Sequence, residues 1–284
     1  MSARGRRRRR SSSGPGGSPR FPGRPRRASD ADAPAMTRLK SEADLKGIRE
    51  SARILSETLR LVAERVEPGV TTAELDDIAR SHIEARGARP AFLGYLDYPA
   101  TLCVSINEEV IHGIPGRRRL AAGDIVGIDC GVDRSGCFSD AALTLPVGSV
   151  AQGTASLLDV TRECLQQAVA AAVPGNRLRD VANAVYRYAS ARGYGVVRQF
   201  CGHGVGFSPH EDPQVPNYPS PGSNPRIKPG MVLAIEPMIT EGTWEVEVLD
   251  DGWTVVTADR KRAAHFEHTV AILPDRAEVL TMHP

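Results

Sequence analysis

Five side chains able to hold a divalent metal ion stand at or near the ends of strand-like runs: Asp129, Asp140, His203, Glu236 and Glu267. Asp129 closes the run Asp124-Ile125-Val126-Gly127-Ile128-Asp129, and Glu236 closes Met231-Val232-Leu233-Ala234-Ile235-Glu236. A carboxylate in such apolar sequence is costly unless it is paired or bound to metal. Four carboxylates and one imidazole form an oxygen-rich donor set without thiolates, suited to Mn, Fe or Co and compatible with Zn. Two such ions can share a water, lower its pKa and stabilise the oxyanion of a tetrahedral intermediate, which is metal-assisted hydrolysis. Serine-nucleophile chemistry has no support, because no G-x-S-x-G motif is present.

Asp129 and Asp140 flank a hairpin signal, Asp133-Arg134-Ser135-Gly136. With Arg134-Ser135 as a two-residue loop, the two aspartates face each other directly. Directly opposed Cβ atoms lie roughly 4.5–5.5 Å apart, where two carboxylates repel unless positive charge separates them. A two-metal centre, with ions about 3.5–4 Å apart, fits that spacing. His203 lies among alternating glycines, Gly202, Gly204 and Gly206. Glycine lets backbone approach a ligand closely, but this alternation is not a dinucleotide-binding fingerprint. His112 and His210 sit in two further rigid loops, His112-Gly113-Ile114-Pro115-Gly116 and His210-Glu211-Asp212-Pro213. These three histidines are the candidates for ligation and proton transfer.

The elements that must position these groups can be read from periodicity. Leu45, Ile48, Ala52, Leu55, Leu59, Val62 and Val66 predict a helix over 42–66 with Ser41 as N-cap, ended by Pro68-Gly69. Residues 68–87 then align without gaps to 174–193, each opening on Pro-Gly and closing on Ala-Arg-Gly. Each copy reads as a helix, a Pro-Gly turn and a second helix ended by glycine. The repeat continues into the acids, with Gly123–Asp129 matching Gly230–Glu236. The later runs Phe138-Ser139-Asp140 and Phe266-Glu267 correspond as well, with about twenty more residues between the acids of the second copy. The expected architecture is α/β, two related halves facing each other across a pseudo-twofold axis. Each half supplies two carboxylates to a metal site between them.

Hydrophobic residues make up 41% of the 284, enough for a sizeable core, and no apolar run is long enough to span a membrane. Five scattered cysteines without a C-x-x-C pair fit a reducing cytoplasm and argue against a zinc ribbon. Residues 1–35 hold ten arginines and two acids, a net of +8 against +2 for the whole chain, which leaves −6 for the remainder. Charge therefore does not indicate a nucleic-acid-binding core. Residues 1–38, rich in Arg, Pro, Ser and Gly, are expected to be disordered, because they cannot bury enough apolar surface to offset ordering. Arg6 to Arg10 and two overlapping P-x-x-P patterns read as an electrostatic tether, for instance to a ribosome. They read more readily as a solvated tail, or as a translated upstream stretch with Met36 as the true start. Residues 39–284 are the expected catalytic domain, and a monomer is expected.

The motifs Ser105-Ile106-Asn107-Glu108-Glu109-Val110-Ile111-His112-Gly113-Ile114-Pro115, Gly202–Gly206, His210-Glu211-Asp212-Pro213-Gln214-Val215, Pro229-Gly230-Met231 to Glu236-Pro237-Met238 and Phe266-Glu267-His268-Thr269 resemble the type 1 methionine aminopeptidases. The resemblance spans roughly residues 40–275. It implies the pita-bread fold, a curved antiparallel sheet with outer helices. It implies removal of N-terminal methionine from nascent proteins with a small second residue, using two divalent ions (Co, Mn, Fe or Zn). By resemblance, Asp129, Asp140, His203, Glu236 and Glu267 are the ligands, with Asp140 and Glu267 bridging. His112 and His210 would contact substrate and stabilise the tetrahedral intermediate, and Glu236 would also shuttle a proton. Tyr95, Tyr98, Cys103 and Trp253 fall on positions of the methionine pocket. The chain departs from the pattern at Phe92, where a smaller residue is usual, at Pro209, where a larger apolar one is, and at His265, where a glutamine is common. Two other readings share some of these features. A prolidase or aminopeptidase P would use the same five ligand types but carries a large N-terminal domain. A non-catalytic ribosome- or RNA-binding relative would have lost ligands, and all five are present.

Overall fold

Helix α1 (Glu42–Ala63) begins at Ser41, whose hydroxyl accepts from Asp44 N while the Asp44 carboxylate accepts from Ser41 N. This reciprocal cap satisfies two backbone donors that the first helical turn leaves open. The computed structural model describes residues 37–282, so the expected tail lies outside the described residues except for its last two. The predicted face of α1, Leu45 through Val62, is buried, and the helix ends three residues before Val66. Pro68-Gly69 turns the chain into α2 (Thr72–Ala85), and Pro174-Gly175 turns α3 (Gln152–Ala171) into α4 (Leu178–Ser190). Gly69 and Gly175 have φ of 97° and 94°, which a side chain would oppose. The α2 and α4 starts also match, since Glu74 takes Thr71 N and Asp180 takes Arg177 N.

The strands of the first half are β1 (Arg89–Pro90), β2 (Leu102–Ile106), β3 (Glu109–Ile111), β4 (Ile125–Arg134) and β5 (Cys137–Pro146). Those of the second are β6 (Gly195–Val196), β7 (Gly202–Gly204), β8 (Glu211–Val215), β9 (Val232–Ile235), β10 (Met238–Thr240), β11 (Val246–Val248), β12 (Val255–Thr257), β13 (Ala263–His265), β14 (His268–Ile272) and β15 (Ala277–Val279). Every pairing is antiparallel. β4 carries β5 on one side and β1 and β2 on the other, while β15-β14-β9-β7-β8 form the main sheet of the second half. The residues between Glu236 and Glu267 supply β10 to β13, among them the hairpin β11–β12 that pairs with β3. Leu55, Leu59 and Val62 of α1 share one core with Val126, Ile128 and Leu143 of the β4–β5 hairpin and Val181 and Val185 of α4. No helix among the described residues is long and apolar enough to cross a membrane.

The β4–β5 register differs from the sequence expectation. Arg134 pairs with Cys137, so the two-residue loop is Ser135-Gly136, and Asp129 pairs with Ala142 while Asp140 pairs with Gly131. Ser135 and Gly136 both have positive φ, 57° and 82°. That is the turn whose twist matches a hairpin, and it favours glycine at its second position. Asp133 Oδ1 secures it by accepting from Gly136 N at 2.7 Å. Moving the loop by one residue slides the register by two, so both aspartates keep the same face but become diagonal neighbours.

Backbone bonds repeat across the halves. Gly69 N donates to Leu120 O and Gly175 N to Ile227 O, and Gly123 N donates to Val147 O and Gly230 N to Ile272 O. Ile128 pairs with Leu143 in the first half and Ile235 with His268 in the second, 107 and 125 residues later. Carrying these offsets along, Asp129 corresponds to Glu236, but Asp140 corresponds to His265 and Glu267 to Ala142. The sequence pairing of Asp140 with Glu267 is thus corrected by two residues. Glu267 lies in the break between β13 and β14, where its N–H donates to Ala142 O across the axis. Two threonines mark the true correspondence. Thr144 Oγ1 donates to His265 O and accepts from His265 N, and Thr269 Oγ1 donates to Asp140 O and accepts from Asp140 N. Each half holds the other's site residue by the same pair of bonds.

Candidate metal centre

Asp129 occupies the middle of β4, flanked across the sheet by Cys103 on β2 and Ala142 on β5. Asp140 sits opposite Gly131, which has no side chain to crowd it. A Cβ at Gly131 would come 2.6 Å from Phe92 Cε1, so the glycine also makes room for this chain's larger Phe92 ring. Glu236 follows the last paired residue of β9, and Pro237 behind it has no N–H to continue the ladder. The Glu236 carbonyl accepts from the Asn217 side-chain amide at 2.9 Å. His203 lies in β7 beside Ala234 of β9. Its flanking glycines are there for close approach: a Cβ at Gly202 would meet Ala234 O at 2.3 Å, and one at Gly204 would meet Asp212 O at 2.5 Å.

All five side chains converge. Donor atoms of Asp140, His203 and Glu267 lie within 4.8 Å of one another. His203 Nε2 is 3.9 Å from Asp140 Oδ2 and 3.6 Å from Glu236 Oε1. His203 Nδ1 lies 3.0 Å from Gly204 O. A carbonyl oxygen only accepts, so Nδ1 carries the proton and Nε2 turns a lone pair toward the carboxylates. Asp129 Oδ1 and Asp140 Oδ1 are buried without a hydrogen-bond partner among the described residues. Burial pushes the Asp129 carboxyl up to about 7, with Glu236 adding and the His265 imidazole opposing. Burial and the neighbouring acids hold Asp140 and Glu267 well above the usual carboxylate range. Acceptors pointing at acceptors in a buried cluster are what a cation site requires, and this oxygen-rich set with one nitrogen fits divalent ions.

The centre forms the floor of a cavity. His210 leans over His203, with ring centroids 4.0 Å apart, and stacks on Tyr95 at 5.4 Å with the planes 4° apart. His112 packs edge-on against Phe200 and Trp253. His112 has a φ of 60°, and Gly113 after it lies so close to β2 that a Cβ there would meet Val104 O. Burial pulls His112 down to about 4 and His210 well below its ordinary value, so both rings are neutral at pH 7. Tyr98 turns its hydroxyl to the Leu102 and Gly113 carbonyls and its ring edge to Trp253, and Cys103 lies in the same cluster.

Comparison with known proteins places the chain in a family. The profile of metallopeptidase family M24 matches residues 46–274. The methionine aminopeptidase of Clostridium perfringens is 50% identical over 247 residues, covering 87% of this chain and 99% of that protein. This chain belongs to metallopeptidase family M24. Within M24, the crystal structure of the Thermotoga maritima methionine aminopeptidase superposes with a TM-score of 0.85 at 40% identity, covering 87% of this chain and all of that one. A prolidase from Pyrococcus horikoshii shares the fold, with a TM-score of 0.72 at 24% identity, and this chain covers 64% of its length. The M24 fold thus brings every candidate from the sequence to one cavity: the five acid and imidazole donors, His112, His210, Tyr95, Tyr98, Cys103 and Trp253. Sequence reasoning missed Ile111, Phe200 and Cys201, which complete the wall. Ile111 and Cys201 are next to singled-out histidine motifs, and adjacency was the available signal. It also missed the place of His265, beside Glu236, which no local pattern reveals.

Proposed function

We propose that this chain removes N-terminal methionine from nascent polypeptides whose second residue is small, with Asp129, Asp140, His203, Glu236 and Glu267 holding two divalent ions (Co, Mn, Fe or Zn). The observation that carries this reading is the buried cluster of acceptor atoms at the floor of an aromatic-lined cavity. Such ions, when bound, supply a water nucleophile of lowered pKa, polarise the scissile carbonyl and anchor the free α-amine of the substrate. Glu236 takes the proton of the attacking water and delivers it to the leaving amine. His112 and His210, neutral because buried, donate toward the carbonyl oxygen as negative charge grows on it. Tyr95, Tyr98, Cys103 and Trp253 surround the methionine side chain, whose thioether favours contact with ring edges. Residues 39–284 form the catalytic domain and act as a monomer in the cytoplasm, and the basic residues 1–38 reach toward the ribosome.

The test is metal-dependent release of methionine from Met-Ala-Ser and Met-Pro-Ala, with Asp140→Ala as control. Release that the substitution abolishes is expected. Binding of two ions without release from either peptide would overturn the specificity, and absence of both binding and release would overturn the enzyme.

A further inference from the structure

His265 is buried, at 4% side-chain exposure, and its Nε2 makes no hydrogen bond among the described residues. Its nearest carboxylate oxygen is Glu236 Oε2, at 3.4 Å. The ring is not there by chance of packing. β10 and β13 pair Met238 directly with His265, and β9 and β14 pair Ile235 with His268, a register that makes His265 the diagonal, same-face neighbour of Glu236. Thr144 holds the His265 backbone from both sides, as Thr269 holds Asp140. His265 therefore occupies, in the second half, the place that Asp140 takes in the first. The second half places its own acid two residues further on, at Glu267. The position facing the centre is thereby left to a side chain that can donate.

Glu236 needs such a donor. Its Oε1 faces the His203 lone pair at 3.6 Å, on the side where a cation is called for. Its Oε2 is turned away from His203 and toward His265. A buried carboxylate that binds through one oxygen leaves the other to be satisfied by the protein. We infer that His265 is a positioning residue for Glu236, its Nε2–H donating to Glu236 Oε2 so that Oε1 stays aimed at the centre. This rests on the proposed role of Glu236 as ligand and proton carrier. The amide of a glutamine at the same position supplies the same donor, so the imidazole works here as a hydrogen-bond donor and not as a sixth ligand.

The experiment compares His265→Ala and His265→Gln with the unaltered full chain. Steady-state kcat and KM are measured on Met-Ala-Ser, and Co(II) binding by calorimetry and by its visible absorption. His265→Ala is expected to lower kcat roughly 10–100-fold, with KM within about twofold, to weaken Co(II) binding and to alter the Co(II) bands. His265→Gln is expected to restore all three toward the unaltered values. Unchanged kcat and Co(II) affinity in His265→Ala would overturn the inference. A His265→Gln variant as impaired as His265→Ala would overturn it too, because the imidazole itself would then be required. If His265→Ala does not fold, His265→Leu fills the space without donating and takes its place. Failure of the unaltered chain to release methionine would instead count against the proposed function, so the two failures are distinguishable.

Discussion

Burial holds the Asp140 and Glu267 carboxyls well above the usual carboxylate range and pushes Asp129 up to about 7, while it keeps the His112 and His210 rings neutral at pH 7. Each divalent ion must therefore displace protons as it binds. Calorimetry near pH 6.5 in buffers of different ionisation enthalpy should show proton release, with apparent affinity rising with pH. The same shifts act on folding. Asp129, raised from 3.8 to about 7, keeps in the folded state a proton that the unfolded chain has lost, so its contribution falls as pH rises through that window. His112, lowered from 6.5 to about 4, has the opposite sign, and its effect is complete above about pH 6.5. Above that pH the groups raised by burial, Asp140 and Glu267 first and the thiols of Cys103 and Cys130 after them, all act in the same direction. The melting temperature of the chelator-treated protein should fall from pH 6.5 to 8.5, and a rise would contradict the assignment of these shifts. The ligand types were legible in the sequence because carboxylates ending apolar runs are costly without a partner. The donor role of His265 was not, because it depends on a partner 29 residues away whose approach is set by the β10–β13 register.

Local elements aim these side chains, and one long-range tie is decisive for the His210 loop. Lys40 Nζ lies 2.7 Å from Glu211 Oε2, both side chains nearly inaccessible, and Glu211 Oε1 also accepts from Phe207 N and Ser208 N. Lys40 N donates to Gly230 O, so the segment ahead of α1 clamps the loop that carries His210. Lys40→Met would leave the Glu211 carboxylate buried without its cation, at a cost of about 3–5 kcal/mol. Denaturant unfolding should read that loss, and KM should rise as His210 loses its fixed place. An unchanged midpoint would show the pair to be dispensable. The α1 start was readable from Ser41, a capping residue directly ahead of the apolar periodicity. The Lys40–Glu211 pair, separated by 171 residues, left no local trace. The β4–β5 loop was misplaced by one residue because the choice between Arg134-Ser135 and Ser135-Gly136 depends on backbone φ values. Hydrophobic alternation is the same for both.

At the scale of the molecule, the centre exists because two halves close on each other. The internal repeat made the halves visible in the sequence, yet it matched the second acids wrongly, since Glu267 lies in a strand break that alignment of similar letters skips. The paired threonines give separable expectations. Thr144→Ala and Thr269→Ala each remove a buried hydroxyl that both donates and accepts, at a cost of about 1–3 kcal/mol. Thr269→Ala should in addition weaken divalent-ion binding directly, because it frees the Asp140 backbone. Thr144→Ala should disturb the centre only through His265. Chemical denaturation with metal titration checks both, and equal effects on ion affinity would contradict the asymmetry. There is an evolutionary corollary to the reciprocal hold. Once each copy of the repeat had come to fasten a working residue of the other, the copies ceased to be interchangeable parts. A recombinant joining the front of one relative to the back of another at the β5–α3 junction would keep both holds only where each parent contributes the hydroxyl that the other half requires, and would otherwise bind divalent ions more weakly.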